Sequence, residues 1–439
     1  MAKIGIRRED KSRWEARTPL VPADIQRLIN DDGLEFTVQS SPIRAFLEDE
    51  FRAAGASIAD QLTACPIIMG VKEIPPHLFE QGKTYVFFAH VIKGQPKNMP
   101  MLRRLMECGC QLIDYEKITD SQGRRLLFFG RHAGLAGMID SLWALGRRLE
   151  HEGIPNPFIR VEPAHQYRDL NHVRKEIQAV ADAIRKDGLP EAIQPLVCGF
   201  AGYGKVSQGA QEVFDLLPME EVRPDELPNL RPARDRCYKV VFQEEHMVER
   251  VDPSAPFELQ EYYKHPERYR AAFIRHVPHL SVLINCIYWE PKYPRLIDAE
   301  QFRALYCGSQ QPRLRVVGDI SCDIDGSVAC TVRATGPDSP VYVFEPDTGR
   351  TPDGVAGRGP VVLAVDFLPC ELPVDASAEF SRALTPFMPA LAKADFSGAL
   401  SESGLPPELA HATIVHHGKL TEPYAYLEEH VRKQAYAAC

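Results

Sequence analysis

The 439-residue sequence lacks three features that would each indicate a different class of protein. It has no apolar run near the roughly 20 residues that a membrane-spanning helix needs. Its net charge is −9, so it lacks the positive balance typical of proteins that bind nucleic acids or anionic membranes. Its 11 cysteines include no Cys-x-x-Cys pair, and Cys108-Gly-Cys110 has no second pair of ligands with which to bind a metal. We therefore predict no metal site and no nucleic-acid or membrane partner.

The beginning of the sequence is also short of apolar residues. The stretch MAKIGIRR enters a predicted strand directly, without the apolar core of a secretory signal. Cysteines such as Cys65, Cys198 and Cys286 lie in apolar runs, as small core residues do in a reduced protein. We therefore expect a cytoplasmic protein.

Strand-like and helix-like runs alternate over the first 140 residues, a pattern typical of a parallel sheet covered by helices. The length of the chain predicts two or three domains, each with a sizeable core. The predicted strands are Lys3–Arg7, Glu35–Gln39, Pro66–Val71, Thr84–Ala89, Gln111–Asp114 and Leu126–Gly130, and the predicted helices include Pro22–Asn30 and Asn98–Cys108.

A second α/β block follows a long amphipathic segment, Leu170–Lys186, which predicts a helix that connects two domains. The apolar runs of this block are Cys237–Phe242, Leu280–Ile287, Leu314–Val317 and Val361–Val365, and a helix-rich tail follows them. We predict an α/β fold of two Rossmann-like domains with parallel sheets and an interdomain cleft. The substrate domain is predicted at residues 1–148, completed by residues 376–439, and the dinucleotide-binding domain at residues 149–375.

A glycine-rich turn, within the stretch CGFAGYGKVSQGAQEVF at residues 198–214, separates a predicted strand from a predicted helix. This is the context of a dinucleotide-binding turn, in which backbone N–H groups at a helix N-terminus approach a pyrophosphate. The first two glycine positions of that motif are filled, but a serine stands at the third, so an ordinary tight turn is an equal alternative. The candidate cofactor-binding residues here are Gly202, Tyr203, Gly204, Lys205, Val206 and Ser207.

Two polar residues follow apolar strands at the end where parallel sheets bind ligands. Lys72 ends the run IIMGV, and His90 ends the run YVFFA. A lysine beside apolar surface can have a lowered pKa, and histidine exchanges protons near neutral pH. As a pair they predict acid–base chemistry. The alternatives are that Lys72 is a solvated lysine at a strand end and that His90 is a hydrogen-bonded histidine of the core.

Other charged residues predict a site for carboxylates. Arg17 precedes a predicted helix, and Arg124 and Arg125 precede an apolar run. Each is a candidate for a bidentate contact with a carboxylate, and the alternative for each is a surface arginine. Asp319 ends the run RVVG, where it would meet a ligand or cap a turn. Glu73 and Glu116 are the acidic neighbours of this set.

In one order along the chain, a series of motifs resembles the lysine-ketoglutarate reductase part of the aminoadipic semialdehyde synthase family. The chain is more distantly similar to lysine-forming saccharopine dehydrogenase and to alanine dehydrogenase. The motifs include GIRRED at residues 5–10, EARTPL at 15–20, GVKE at 70–73, FAHVIK at 88–93, LIDYEK at 112–117, AGLAGM at 133–138, GYGKVSQGAQ at 202–211, KHPERY at 264–269, IYWE at 287–290 and GDIS at 318–321.

The resemblance implies a role for each candidate. Lys72 and His90 fall on the acid–base positions of the family, and Glu73 and Glu116 tune them. Arg17 and Arg125 fall on positions that bind substrate carboxylates. Asp319 falls on an aspartate that faces the active site in the alanine dehydrogenase relatives.

The function that the resemblance implies is the reductive condensation of L-lysine with 2-oxoglutarate to saccharopine. The alternatives are another opine or amino-acid dehydrogenase of the same superfamily and a non-catalytic metabolite-binding homologue. We expect this chain to perform only the condensing half of the bifunctional relatives' work, with a separate enzyme cleaving saccharopine. A homo-oligomer is left open.

The choice of cofactor turns on an acidic residue expected about 20 residues past the first glycines. That region reads MEEVRPD at residues 219–225, where Glu221 would favour NAD and Arg223 would accept the 2′-phosphate of NADP. The relatives suggest NADPH, which we therefore favour over NADH.

Overall fold

The computed structural model describes residues 2–307 and 312–437, and the chain forms two compact units. The first unit combines residues 1–129 with residues 373–439, and the second consists of residues 130–372. The domain limits predicted at residues 1 and 439 lie outside the described residues. The structure places the first internal boundary after Phe129, before the predicted boundary at 148/149, because the helix that begins at Gly130 packs within the second unit.

Strands and helices alternate through the N-terminal part of the first unit. In chain order they are β1 (Ile4–Ile6), α1 (Pro22–Asp32), β2 (Phe36–Gln39), α2 (Glu48–Ala53), β3 (Ser57–Ala59), β4 (Ile67–Met69), β5 (Thr84–Phe87), α3 (Met99–Glu107) and β6 (Gln111–Asp114).

The second unit begins with two long helices and continues into a second sheet. Its elements are α4 (Gly130–His151), α5 (Leu170–Asp187), β7 (Val197–Ala201), α6 (Lys205–Phe214), β8 (Met219–Glu221), β9 (Cys237–Phe242), α7 (Glu244–Met247), β10 (Val248–Arg250), α8 (Leu259–Lys264), β11 (Tyr269–Ala271), β12 (Val282–Asn285), α9 (Ala299–Tyr306), β13 (Val316–Asp319), β14 (Val341–Val343) and β15 (Val361–Leu363).

The C-terminal segment returns to the first unit. It contributes α10 (Pro373–Leu384), α11 (Met388–Lys393), α12 (Pro407–His411), β16 (Thr413–His416), β17 (Lys419–Leu420) and α13 (Leu427–Ala437). The sheet order of this unit is β17-β16-β6-β5-β4-β1-β2-β3, with β1 to β6 parallel and β16 antiparallel to β6. Strands β1, β4, β5 and β6 are buried throughout, which explains their continuous apolar sequences.

The sheet of the second unit has the order β14-β15-β13-β12-β7-β9-β8. All of its strand pairs are parallel except β14 with β15, so each unit carries an antiparallel edge on an otherwise parallel sheet. The short strands β10 and β11 form a separate antiparallel pair. The predicted α/β class is confirmed, and the predicted wholly parallel sheets are corrected at these edges.

Two sequence-based predictions of local structure are wrong. The segment Leu126–Gly130 is not a strand, because its apolar residues lead into the N-terminus of α4. Helix α5 forms where predicted but does not connect the units, since both it and α4 lie within the second unit. The chain passes between the units at residues 129–130 and 372–373 instead. In the described part of the chain, no helix is long and apolar enough to cross a membrane.

Helices α4 and α6 approach so closely that glycine is required at their contact. A Cβ atom added to Gly209 would lie 2.1 Å from the carbonyl oxygen of Arg131, and one added to Gly134 would lie 1.9 Å from that of Val206. Because backbone rather than a flexible side chain fills this space, close packing of the two helices requires glycine at Gly134 of the AGLAGM motif and at Gly209 of α6.

Replacing Gly209 by Ala should therefore destabilise the second unit. Overpacking of this kind costs typically about 1–3 kcal/mol, and we expect the melting temperature to fall by about 5 °C or more. Gly204→Ala is the matched control, since a Cβ there meets nothing within 4 Å. Thermal unfolding followed by circular dichroism measures both. Equal melting temperatures for the two variants would contradict the close contact.

Candidate active site

Lys72 and His90 lie at the same edge of the first sheet. Strands β4 and β5 pair in parallel, and Lys72 and His90 each stand three residues past the last residue of their strand. Lys72 is largely buried, and burial, with the nearby Arg17 charge, lowers its pKa. The structure thus brings the two predicted acid–base residues to one end of neighbouring strands.

Glu73 contacts both His90 and Lys11. Its Oε1 lies 3.1 Å from His90 Nδ1, and its Oε2 lies 3.2 Å from Lys11 Nζ. Burial opposes ionisation of Glu73, but the hydrogen bond with His90 and the neighbouring charges hold its pKa well below the ordinary value. An ionised Glu73 therefore orients the imidazole, and the tuning role that the resemblance implied for it stays a prediction.

His90 has an unusual backbone conformation. Its φ is 48°, in the left-handed region that non-glycine residues seldom adopt. The side chain of Asn98 donates to the His90 carbonyl oxygen at 2.9 Å, and the ring of Phe88 stacks on the imidazole. Such strain persists only where the surroundings impose it, and it is concentrated at functional sites.

Glu9 shapes the loop that carries Lys72. Its carboxylate accepts the backbone N–H groups of Val71 at 2.7 Å and of Lys72 at 3.0 Å. Burial raises the pKa of Glu9 to about 7, although the nearby Arg7 opposes the shift. Glu9 was not a predicted site residue, because its contact with the end of β4 depends on the tertiary fold.

Arg17 is buried and forms a bidentate ion pair with Glu15. Its Nε and Nη2 donate to the two carboxylate oxygens at 2.7 and 2.6 Å, and its guanidinium stacks over the ring of Phe129. Burial opposes ionisation of Glu15, yet the Arg17 charge lowers its pKa. Arg17 is not a surface arginine, and the substrate contact predicted for it stays a prediction.

Arg125 and Glu116 form an ion pair beside the end of β6. The last residue of β6, Asp114, is fully buried, and burial raises its pKa to about 7 against the opposing charge of His90. The Oδ1 atom of Asp114 accepts the backbone N–H of Glu116 at 2.9 Å. Asp114 was not a predicted site residue, although it ends the strand next to β5, close in sequence position to where Lys72 and His90 follow theirs.

In the second unit, the glycine turn joins β7 to α6 as predicted. Gly202 has a φ of 92°, which favours glycine, and Gly204 caps α6 without any side-chain hydrogen bond. A Cβ atom added to Gly204 would meet nothing within 4 Å, and a helix N-terminus without a side-chain cap is a place where an anion can bind. Ser207 is fully buried at the third position of the motif, and its Oγ accepts a hydrogen bond from the side chain of Gln211 at 2.9 Å.

A cavity of about 450 Å³ adjoins this turn. It lies beyond the carboxyl ends of β7, β9 and β12, and its walls are mainly apolar and aromatic. These features fit a dinucleotide, whose pyrophosphate needs bare backbone amides and whose adenine needs apolar walls. The lining residues include Gly202, Tyr203, Gly204, Glu244, Met247, Tyr262, Tyr263, Ile287, Tyr288 and Trp289.

Two other predicted residues of the second unit lie apart from this cavity. Arg223 is exposed and lines a separate cavity, where it pairs with Asp225 at 3.1 Å. Asp319 is 1% exposed, and its carboxylate accepts from the side chains of Asn285 at 2.9 Å and Thr331 at 2.5 Å. The roles in cofactor and substrate binding proposed for these residues stay predictions.

The fold is that of the alanine dehydrogenase and transhydrogenase group. An L-alanine dehydrogenase superposes with a TM-score of 0.61 at 17% identity, over 98% of this chain and 99% of that one. A transhydrogenase from Sinorhizobium meliloti superposes with a TM-score of 0.55 at 13% identity, over 95% of this chain and all of that one. Residues 5–136 also match the family described as alanine dehydrogenase/PNT, N-terminal domain.

The sequence is also similar to curated enzymes of two names. It is 36% identical to the alpha-aminoadipic semialdehyde synthase of Arabidopsis thaliana, over 97% of this chain but 41% of that protein. It is 28% identical to a saccharopine dehydrogenase of Emericella nidulans named as NAD⁺-using and L-lysine-forming, over 88% of this chain and 90% of that protein. The chain thus spans less than half of the synthase, and the resemblance recognised in the sequence is confirmed.

Proposed function

We propose that the protein condenses L-lysine with 2-oxoglutarate and reduces the resulting imine to saccharopine. The observation that carries this proposal is the cluster of Lys72, His90 and Glu73 at one edge of the first sheet, in a chain similar to saccharopine dehydrogenases. This edge holds acid–base groups beside buried cations, which suits a reaction of an amine with a dicarboxylic keto acid.

The condensation needs protons to move at two stages. The ε-amine of lysine attacks the ketone carbon to form a carbinolamine, and the loss of water then forms the imine. Burial lowers the pKa of Lys72, which favours its role in taking up and returning protons, and His90, oriented by Glu73, serves the departing hydroxyl group. A bound nicotinamide cofactor supplies the hydride that reduces the imine.

Positive charge near these residues suits the carboxylates of the substrates, which number three in the pair. Arg17 and Arg125 belong to the first unit, as do Lys11 and Lys72. Arg17 in particular is held rigidly between Glu15 and Phe129, so its guanidinium is oriented before a substrate arrives. We assign Arg17 and Arg125 to the binding of substrate carboxylates.

Arg17→Lys should raise the Michaelis constant for one substrate about tenfold, because a point charge replaces the planar guanidinium. Turnover at saturation should change less. Initial rates with each substrate varied in turn measure both parameters. Arg27→Lys is the control, since Arg27 lies on an exposed helix face and pairs with Asp24. A lower melting temperature with unchanged Michaelis constants would show that Arg17 only supports the fold.

A panel of amines and keto acids tests the proposed substrates. Each pair is incubated with NADH or NADPH, and the loss of absorbance at the nicotinamide wavelength is followed. The proposal expects the fastest oxidation with L-lysine and 2-oxoglutarate. A faster reaction with another pair would assign the protein to a different opine or amino-acid dehydrogenase, and the absence of any reaction with bound cofactor would indicate a non-catalytic homologue. Cytoplasmic location and a separate saccharopine-cleaving enzyme stay predictions, and the oligomeric state stays open.

A further inference from the structure

The strand order of the second unit changes which residue can meet the cofactor's ribose. The sequence-based expectation lay at residues 219–225, but Met219–Glu221 form β8 at the edge of the sheet. The strand that pairs directly with β7 on this side is β9. In a sheet of this kind, the dinucleotide lies across the carboxyl ends of neighbouring strands, so the residues after β9 are the ones placed beside the glycine turn.

Glu244 is the acidic residue in that position. It follows β9 by two residues and lines the same cavity as Gly202 and Gly204. Glu221, in contrast, is ion-paired at 2.9 Å with the buried Lys239. Its carboxylate is therefore committed to a structural contact on β9.

Two tyrosines orient the Glu244 carboxylate. The hydroxyl of Tyr263 donates to its Oε1 at 2.7 Å. Tyr203, within the glycine turn, is near enough that Glu244 raises the pKa of its phenol. The carboxylate is half-buried and lines the cavity beside the glycine turn.

The described lining of the cavity carries negative charge and no positive charge. Among the described residues that line it, Glu244 is the only charged one. The predicted partner of a 2′-phosphate, Arg223, does not line this cavity; it lines a second cavity that shares Tyr203 with the first, and it pairs with Asp225 and Glu226. A phosphate dianion placed beside Glu244 would meet a like charge, whereas a ribose hydroxyl would find an acceptor.

We propose that Glu244, positioned by Tyr263, makes the second unit select NADH over NADPH by accepting hydrogen bonds from the adenosine ribose hydroxyls. The proposal rests on the proposed function, because it concerns the same cofactor. It departs from the NADPH preference that the relatives suggested, since it follows from this chain's own strand order and cavity charge.

Binding of cofactor without substrates tests the proposal. NADH and NADPH are titrated separately into the intact protein, and dissociation constants are measured from nicotinamide fluorescence and from calorimetry. We expect NADH to bind at least about tenfold more tightly, a difference of about 1.4 kcal/mol. Tighter binding of NADPH would overturn the proposal while leaving the proposed function intact. If neither dinucleotide binds the folded protein, both fail.

Three variants assign the preference to residues. Glu244→Gln should weaken NADH binding and strengthen NADPH binding, so that the ratio of the two constants falls about tenfold or more. Tyr263→Phe keeps the ring and should reduce the ratio by a smaller factor. Arg223→Ala should leave the ratio within about twofold. A ratio unchanged by Glu244→Gln, or one that changes only with Arg223→Ala, would overturn the proposal, and thermal unfolding shows whether each variant is folded.

Discussion

Lys72→Met and His90→Gln should each lower turnover about 100- to 10,000-fold, the usual contribution of a general acid or base. The expected loss is large because these two residues are assigned every proton transfer of the condensation. Cofactor affinity should change little, since the glycine turn belongs to the other unit. Steady-state rates at saturating substrates, with cofactor titrations alongside, measure the two effects separately.

The effects of the two substitutions on turnover should also be non-additive. If Lys72 and His90 act on the same intermediate, the double variant should lose less than the product of the two single losses. Lys97→Met is the matched control, because Lys97 is exposed and lies outside the cluster. A single variant that keeps normal turnover across the pH range would remove that residue from the mechanism.

Gly204→Val should weaken binding of the cofactor about 100-fold, equivalent to about 2.8 kcal/mol, while the protein stays folded. A side chain at this position points into the open space before α6, where the pyrophosphate would meet the first amides of the helix. The backbone tolerates it, since φ is −72° and a Cβ touches nothing within 4 Å. The dissociation constant measured by fluorescence titration gives the result.

A matched variant separates this effect from a general loss of structure. Gly204→Ala adds a smaller group at the same place, so its affinity should lie between those of the original protein and Gly204→Val. Unchanged affinity in a folded Gly204→Val protein would mean that the turn only reverses the chain.

Much of the first sheet could be predicted because its strands are buried on both faces. Their continuous apolar runs stand out, and the polar residues that end them, Lys72 and His90, mark the ligand-binding edge. Strand β3, with an exposed first residue, lacks this signal and was missed. The start of α4 was mistaken for a strand, because Leu126–Gly130 is apolar and the glycines at 134 and 137 obscure the helix that follows.

The supporting residues of the site could not be found by spacing. Glu9 meets Lys72 across 63 positions of sequence, and only the pairing of β1 with β4 brings them together. The ribose-contacting residue was sought about 20 residues after the glycines, a distance that assumes the next strand along the chain pairs with β7. Here β8 lies between β7 and β9 in sequence, but β9 is the strand that pairs with β7. The expected position of the ribose-contacting residue therefore moves to the end of β9.

The most direct test of the account is to identify the product formed from lysine labelled with ¹⁵N at the ε-amine. The purified protein is incubated with this lysine, 2-oxoglutarate and reduced cofactor, and the products are analysed by mass spectrometry. The account predicts one saccharopine, carrying the label in its secondary amine, for each cofactor oxidised. Oxidation of the cofactor without labelled saccharopine, or transfer of the label to glutamate, would contradict it.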